Sequence, residues 1–321
     1  MKTFIFIPDT NKNAGLGHLY ICFKYSNFVK QKYEIIFLIN KKFNKRYMIK
    51  KNSNNVKIKY FFFSKIEHSL NLLKIKYNYI VTFVDTYNSE IRNINFKKFS
   101  KKHITILDFK AKCKTDYLID HTFYRKFNYH LSNKKTTINV GLQNFPVSYK
   151  LKFSKRNLIL INFGSIKNKN LIYKSLKLIK NFDLNKNYKV IIINPYFSKK
   201  DFIDIKLKNK IFCIKFIRNI ENLYKKTYFI IGACGISLYE SCFFNIPSIA
   251  KSVAKNQSTN FKNFYSKKCI LDFNKLTKLS LEKIKKNDSY HEEIRKVEIN
   301  IKKYFDSNIN KKHLGKLFGN F

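Results

Sequence analysis

The chain is short of arginine, glycine, proline and tryptophan: in 321 residues it has 8 Gly, 4 Pro and no Trp. Arginine stands only at Arg46, Arg92, Arg125, Arg156, Arg218 and Arg295. Acidic residues are also few, 20 against 65 Lys+Arg, which leaves a formal net charge of +45. A charge of that size points toward nucleic acid, yet readers of bases and phosphates favour the bidentate fork of arginine. The scarce residues have G/C-rich codons, and the abundant Lys, Asn, Ile, Phe and Tyr have A/T-rich ones. Base composition therefore accounts for lysines that are spread through every segment, and no specific nucleic-acid partner is expected. A basic RNA-binding protein is the non-enzymatic alternative.

Long apolar runs are missing too. No stretch reaches the roughly 18 apolar residues that span a bilayer, and the most apolar window, residues 228–250, is broken by Glu240, Asn245 and Pro247. The apolar start Phe4-Ile5-Phe6-Ile7 is too short for a signal peptide and reads as a buried first strand. Six cysteines include no C-x-x-C pair, so neither a zinc site nor a disulfide framework is suggested. The simplest compartment is the cytoplasm, and no metal or cofactor is expected.

What is present is a globular composition, 45% hydrophobic and 17% aromatic. The length suits two domains, each with its own core. Short β-branched and aromatic runs at 3–7, 34–39, 57–62, 79–84, 104–107 and 117–119 alternate with amphipathic segments. This is the βαβ signature of a parallel sheet covered on both faces. A Lys/Asn/Ser-rich stretch, about 128–156, reads as a linker, after which strands at 158–163, 189–194, 211–216, 229–232 and 248–251 restart the alternation. Two doubly wound, Rossmann-like domains are expected, 1–150 and 151–321, with a cleft between them. Residues 279–305 are helical by periodicity; the C-terminal helices are counted with the second domain, while the sequence leaves open on which of the two domains the last residues pack.

In such folds ligands lie beyond the carboxyl ends of the strands. Among so few glycines, those in strand-end loops are informative. Gly15-Leu16-Gly17-His18 precedes a helical run. The glycines let the backbone approach a ligand, and a neutral His18 at a helix start, its pKa lowered there, can act as a general base. The alternative is a capping or packing histidine. Gly232-Ala233-Cys234-Gly235-Ile236-Ser237 presents amides at a helix start suited to a diphosphate, with Glu240 one turn on as a candidate for ribose hydroxyls. A plain strand-to-helix turn is the alternative there. Gly164-Ser165 ends another strand and can touch the same diphosphate. Asp85 orients His18, binds a sugar hydroxyl or caps a helix, and Tyr87 stacks or donates beside it. Asn256 and Gln257 are sugar or phosphate ligands, or an N-cap.

Taken in order, Gly15-Leu16-Gly17-His18, Asp85-Thr86-Tyr87, Leu107-Asp108, residues 141–153, Phe163-Gly164-Ser165, residues 232–240 and Asn256-Gln257 resemble the pseudaminic-acid-pathway nucleotide-sugar hydrolases. That family cleaves UDP-2,4-diacetamido-2,4,6-trideoxy-β-L-altropyranose and is similar in fold to the GT-B glycosyltransferases, notably the lipid II synthase that transfers N-acetylglucosamine. The resemblance implies a GT-B-like fold with UDP on the second domain, Gly235 to Ser237 at the diphosphate and Glu240 at the ribose. It implies His18 as the base that activates water, with Tyr87 and Asn256 at the sugar or the water. Ile21, Lys255 and Phe109 depart from the family pattern, which has arginine at the first position and acids at the other two. The expected function is hydrolysis of a UDP-linked amino-sugar derivative, and the alternative is GT-B transfer from a UDP-sugar to a hydroxyl acceptor.

Overall fold

The computed structural model describes residues 2–11, 16–49, 51, 55–109, 114–125, 135–147, 151–182, 184, 187–217, 220–278, 289–319 and 321. They form two compact units, Met1–Ser148 with Asn308–Phe321, and Tyr149–Ser307.

The first unit is built on seven strands: β1 (Lys2–Pro8), β2 (Glu34–Asn40), β3 (Ile58–Phe63), β4 (Tyr79–Asp85), β5 (Lys102–Ile106), β6 (Tyr117–Asp120) and β7 (Thr137–Val140). Their order is β3-β2-β1-β4-β5-β6-β7 and every pairing is parallel. β1, β2 and β4 read as near-continuous apolar runs and are buried along almost their whole length, as a sheet covered on both faces requires. Its helices are α1 (Gly17–Ser26), α2 (Ile66–Lys76) and α3 (Ser89–Arg92). The chain steps outward from β1 to β3 and then returns to the other side of β1 at β4. The switch point therefore lies between the ends of β1 and β4.

The second unit repeats the plan with β8 (Leu158–Asn162), β9 (Lys189–Ile193), β10 (Lys210–Ile214), β11 (Thr227–Ala233), β12 (Ser248–Lys251) and β13 (Leu271–Asp272), in the order β10-β9-β8-β11-β12-β13. All its pairings are parallel as well. The helices are α4 (Lys169–Asn181), α5 (Glu221–Tyr224), α6 (Ile236–Phe243), α7 (Ser258–Ser266), α8 (Phe273–Lys278) and α9 (Ser289–Tyr304). In α4 the helical spacing turns Leu171, Ile172, Leu176 and Ile179 inward and leaves Lys174, Lys177 and Lys180 exposed, with Asn168 capping the start by accepting from Leu171 N. The switch point of this sheet lies between β8 and β11. These strands approach so closely that a Cβ on Gly232 would stand 2.4 Å from the backbone oxygen of Asn162.

Three elements differ from the sequence reading. Strand β7 falls inside the expected linker because its four residues are only half buried and carry no apolar run. β13 is two residues long, too short for a pattern to show. The last helix, α10 (Ser307–Gly319), counted with residues 151–321 while its packing was left open, returns the chain to the first unit. Aromatic packing explains that return: Phe318 is buried with its ring 5.9 Å from those of Phe4, Tyr25 and Phe83. Polar ties add to it, since Asn310 Nδ2 donates to the carbonyls of Leu142 and Phe145, and His313 Nε2 meets Asn144 Oδ1 at 2.9 Å.

Candidate functional site

At the switch point of the first unit, Pro8 and Asp85 are register partners at the ends of β1 and β4. Just beyond, the Asp9 N–H donates to the Asp85 carbonyl at 2.7 Å. The loop after β1 leads into α1, whose second residue is His18. Its Nδ1 lies 2.9 Å from Asp85 Oδ1, and both side chains are buried. The Tyr87 ring stands edge-on to the imidazole at 4.6 Å, and its hydroxyl donates to Asp108 Oδ2 at 3.0 Å. Asp9 Oδ2 accepts from Thr86 Oγ1 and from the Tyr87 backbone N–H. Arg92 Nη1 donates to the Tyr87 carbonyl, and its guanidinium lies over the ring of Phe109, which in turn packs on Tyr87. The loops after β1, β4 and β5 thus converge on one imidazole. Gly17 opens α1, while Gly15 lies outside the described residues.

The electrostatics of His18 reverse the expectation of a ring kept neutral by a helix start. Burial presses the ring toward neutrality, but Asp85, by charge and by hydrogen bond, together with Asp9 and Asp108, outweighs it and lifts the pKa to about 9. His103 shows the opposite outcome, in which burial wins over the nearby Asp116 carboxylate. It is equally enclosed, stacked on Phe96 and bonded to the hydroxyls of Thr82 and Thr105, and burial brings it down to about 3. The difference is a carboxylate bonded to the ring itself: Asp85 sits on His18 Nδ1, whereas Asp116 accepts from the His103 backbone N–H. Burial also raises the Asp108 carboxyl and lowers His121.

In the second unit, Gly235 is the N-cap of α6, with Ile236 and Ser237 in its first turn. The loop after β12 comes back to it: a Cβ on Gly235 would lie 3.5 Å from Gln257 Nε2, and Gln257 Oε1 accepts from the Val253 N–H. Asn260 ties the two loops further, with Nδ2 donating to the Cys234 carbonyl and Oδ1 accepting from Tyr239. Asn256 is exposed beside this junction. Across the switch point, Gly164 takes φ +73° after β8, its N–H held by Asn162 Oδ1 and its loop braced by Asn194, and Ser165 is exposed. Gly164, Ser165, Gly235, Ile236, Ser237 and Gln257 therefore all sit at the carboxyl end of this sheet.

Glu240, expected at the ribose, stands in the second turn of α6. It is 1% exposed and its Oε2 accepts from Tyr224 OH at 3.1 Å, inside the unit. The helical spacing that relates it to Ser237 is present, but the third residue on turns the side chain under α6 toward α5.

Asp9 was missed as a site residue by the sequence reading, and Thr86 and Asp108 entered only through the resemblance. One signal was available: an acid directly after the first strand, in a fold whose first and fourth strands are neighbours, faces the loop after the fourth strand. Among the described residues no group of three or more His, Cys, Asp or Glu side chains is arranged to hold a metal ion. Among them, too, no helix is long and apolar enough to cross a membrane.

No family model matches the chain, and no curated protein matches it. Solved structures do match. MurG from Acinetobacter baumannii is similar at a TM-score of 0.60 and 12% identity over 100% of both chains. UGT2 from Phytolacca americana, complexed with UDP-2fluoro-glucose and pterostilbene, gives 0.63 at 8% identity over 100% of this chain and 99% of its own. The spinosyn rhamnosyltransferase SpnG gives 0.63 at 9% identity over 100% of both. At such identities the likeness is one of fold: two parallel-sheet α/β units of the GT-B glycosyltransferase kind.

Proposed function

We propose that the chain is a GT-B glycosyltransferase that moves a sugar from a UDP-sugar donor to a hydroxyl acceptor. The observation that carries this reading is the buried His18–Asp85 pair at the switch point of the first unit, in a chain whose fold follows the sugar transferases along its whole length. With Nδ1 committed to Asp85, the neutral ring carries its lone pair on Nε2. That nitrogen takes the acceptor proton as the acceptor oxygen attacks the anomeric carbon. The bond from that carbon to the diphosphate oxygen breaks, and UDP leaves. Asp85 stabilises the imidazolium that forms. Tyr87, its hydroxyl engaged with Asp108, serves as a fixed wall beside the ring.

The donor diphosphate is assigned to the helix start at Gly235, Ile236 and Ser237, with Gly164, Ser165, Asn256 and Gln257 around it. Backbone amides at a helix start favour an anion and the charge that develops on it as it departs. The buried Glu240 is left out of this set.

The loop motifs favour a second reading in which water is the acceptor and the sugar is a diacetamido-trideoxy-hexose, with His18 in the same role. UDP release from UDP-N-acetylglucosamine, UDP-glucose and UDP-2,4-diacetamido-2,4,6-trideoxy-β-L-altropyranose, with and without hydroxyl acceptors, separates the two. Release that depends on an acceptor supports transfer. Release from the altropyranose in water alone supports hydrolysis, and no release from any donor refutes both.

A further inference from the structure

We propose that Asp9 is the positioning residue of this site: its single carboxylate ties the loop after β1 to the loop after β4 and so keeps Tyr87 and His18 edge to face. The proposal deepens the transferase reading and rests on it for its kinetic part.

Asp9 is 4% exposed and its oxygens are occupied. Oδ1 accepts from the Asn11 N–H at 3.2 Å, which folds its own loop back. Oδ2 accepts from Thr86 Oγ1 at 2.9 Å and from the Tyr87 N–H at 3.2 Å. Thr86 is the donor in that bond because a carboxylate oxygen can only accept, and the hydroxyl oxygen in turn accepts from the Asn88 N–H at 3.0 Å. The Asp9 backbone N–H meanwhile donates to the Asp85 carbonyl, on the residue whose side chain holds His18. One residue therefore fixes the backbone on both sides of the imidazole: Asp85 through its carbonyl and Tyr87 through its amide. A carboxylate is the side chain that can accept all three donors at once. Since these oxygens are taken up by the protein's own donors, Asp9 acts through His18 and Tyr87.

Its charge has a second effect. Among the described residues, the ionisable groups that face His18 are Asp85 at the end of β4, Asp9 beyond β1, Asp108 beyond β5 and Tyr87. Asp9 is one of three carboxylates whose charges favour the protonated ring. Removing it lowers the proton affinity of His18 even where the loops keep their place.

Two variants separate the effects. Asp9→Asn keeps one oxygen for Thr86 and Tyr87 but no charge, and Asp9→Ala keeps neither. In the full chain, the His18 ring is titrated by NMR, and kcat and KM for the UDP donor are measured at one pH above the His18 midpoint. The expected results are a lower His18 midpoint in both variants and an unchanged donor KM. A fall in kcat of about ten- to a hundredfold in Asp9→Ala is expected to be largely restored in Asp9→Asn. A His18 midpoint and kcat at wild-type values in both variants overturn the proposal. So does loss of folding in Asp9→Ala alongside a wild-type midpoint in Asp9→Asn, which makes Asp9 a structural residue only. If wild-type protein turns over no donor, the transferase reading fails, while the titration still decides whether Asp9 governs His18.

Discussion

His18 Nδ1 and Asp85 Oδ1 stand 2.9 Å apart, with both side chains largely withdrawn from water. Each comes from an element that the parallel sheet places beside the other: α1 follows the loop after β1, and Asp85 ends β4. The carboxylate turns a buried imidazole, which burial alone would keep neutral, into one that holds its proton to about pH 9.

The rate should follow that proton. If neutral His18 accepts the acceptor's proton, kcat/KM for the free enzyme rises with pH through about 9. Asp85→Asn removes the main influence that favours the charged ring and leaves burial, which disfavours it, so the rising limb moves down in pH. Turnover on the plateau falls by about 10²–10⁴-fold, the usual scale for lost acid–base support. A pH–rate profile of the two proteins checks both expectations.

Stability should change with the same group, in the direction linkage dictates. The folded pKa of His18 lies above its unfolded value, so the folded state binds the proton more tightly. The contribution is whole below about pH 6.5 and is lost as pH rises through about 9. Urea unfolding at pH 6 and pH 9.5 should show a larger alkaline loss in wild type than in His18→Gln, which has no ring to titrate.

Two glycines should respond for different reasons. Gly232→Ala drives a methyl to 2.4 Å from the backbone oxygen of Asn162 in the neighbouring strand, an overpacking that costs about 1–3 kcal/mol. Gly164→Ala meets nothing within 4 Å but must hold φ at +73°, which costs roughly 1–2 kcal/mol. Denaturant midpoints should fall in both, and donor affinity should weaken mainly in Gly164→Ala, whose loop is exposed at the end of β8.

The last helix should be part of the first unit's stability. Phe318→Ala removes a ring seated among Phe4, Tyr25 and Phe83 and should cost about 3–5 kcal/mol. Hydrogen exchange should show the loss in β1 and β4, with β8 and β11 unaffected.

The buried strands were legible because both faces of β1, β2, β4 and β11 are covered, which forces apolar residues into nearly every position. β7 and β13 lacked that constraint, so β7 passed for linker and β13 went unread. The destination of α10 was hidden for a different reason: Phe318 is apolar wherever it packs, and only the fold supplies Phe4 and Phe83 as its partners. At the site, His18, Asp85 and Tyr87 were visible as strand-end chemistry, but the charge of His18 was misjudged because three carboxylates from distant segments meet there. The burial of Glu240 could not be read in advance, because helical spacing fixes a side chain's direction on the helix and leaves open whether that side is covered.

The most direct test of the account is UDP release from a UDP-sugar donor by wild-type and His18→Ala protein, each with and without a hydroxyl acceptor. Wild type is expected to release UDP only with an acceptor, and His18→Ala to lose about 10²–10⁴-fold with donor binding retained. Equal release by the two proteins would contradict it.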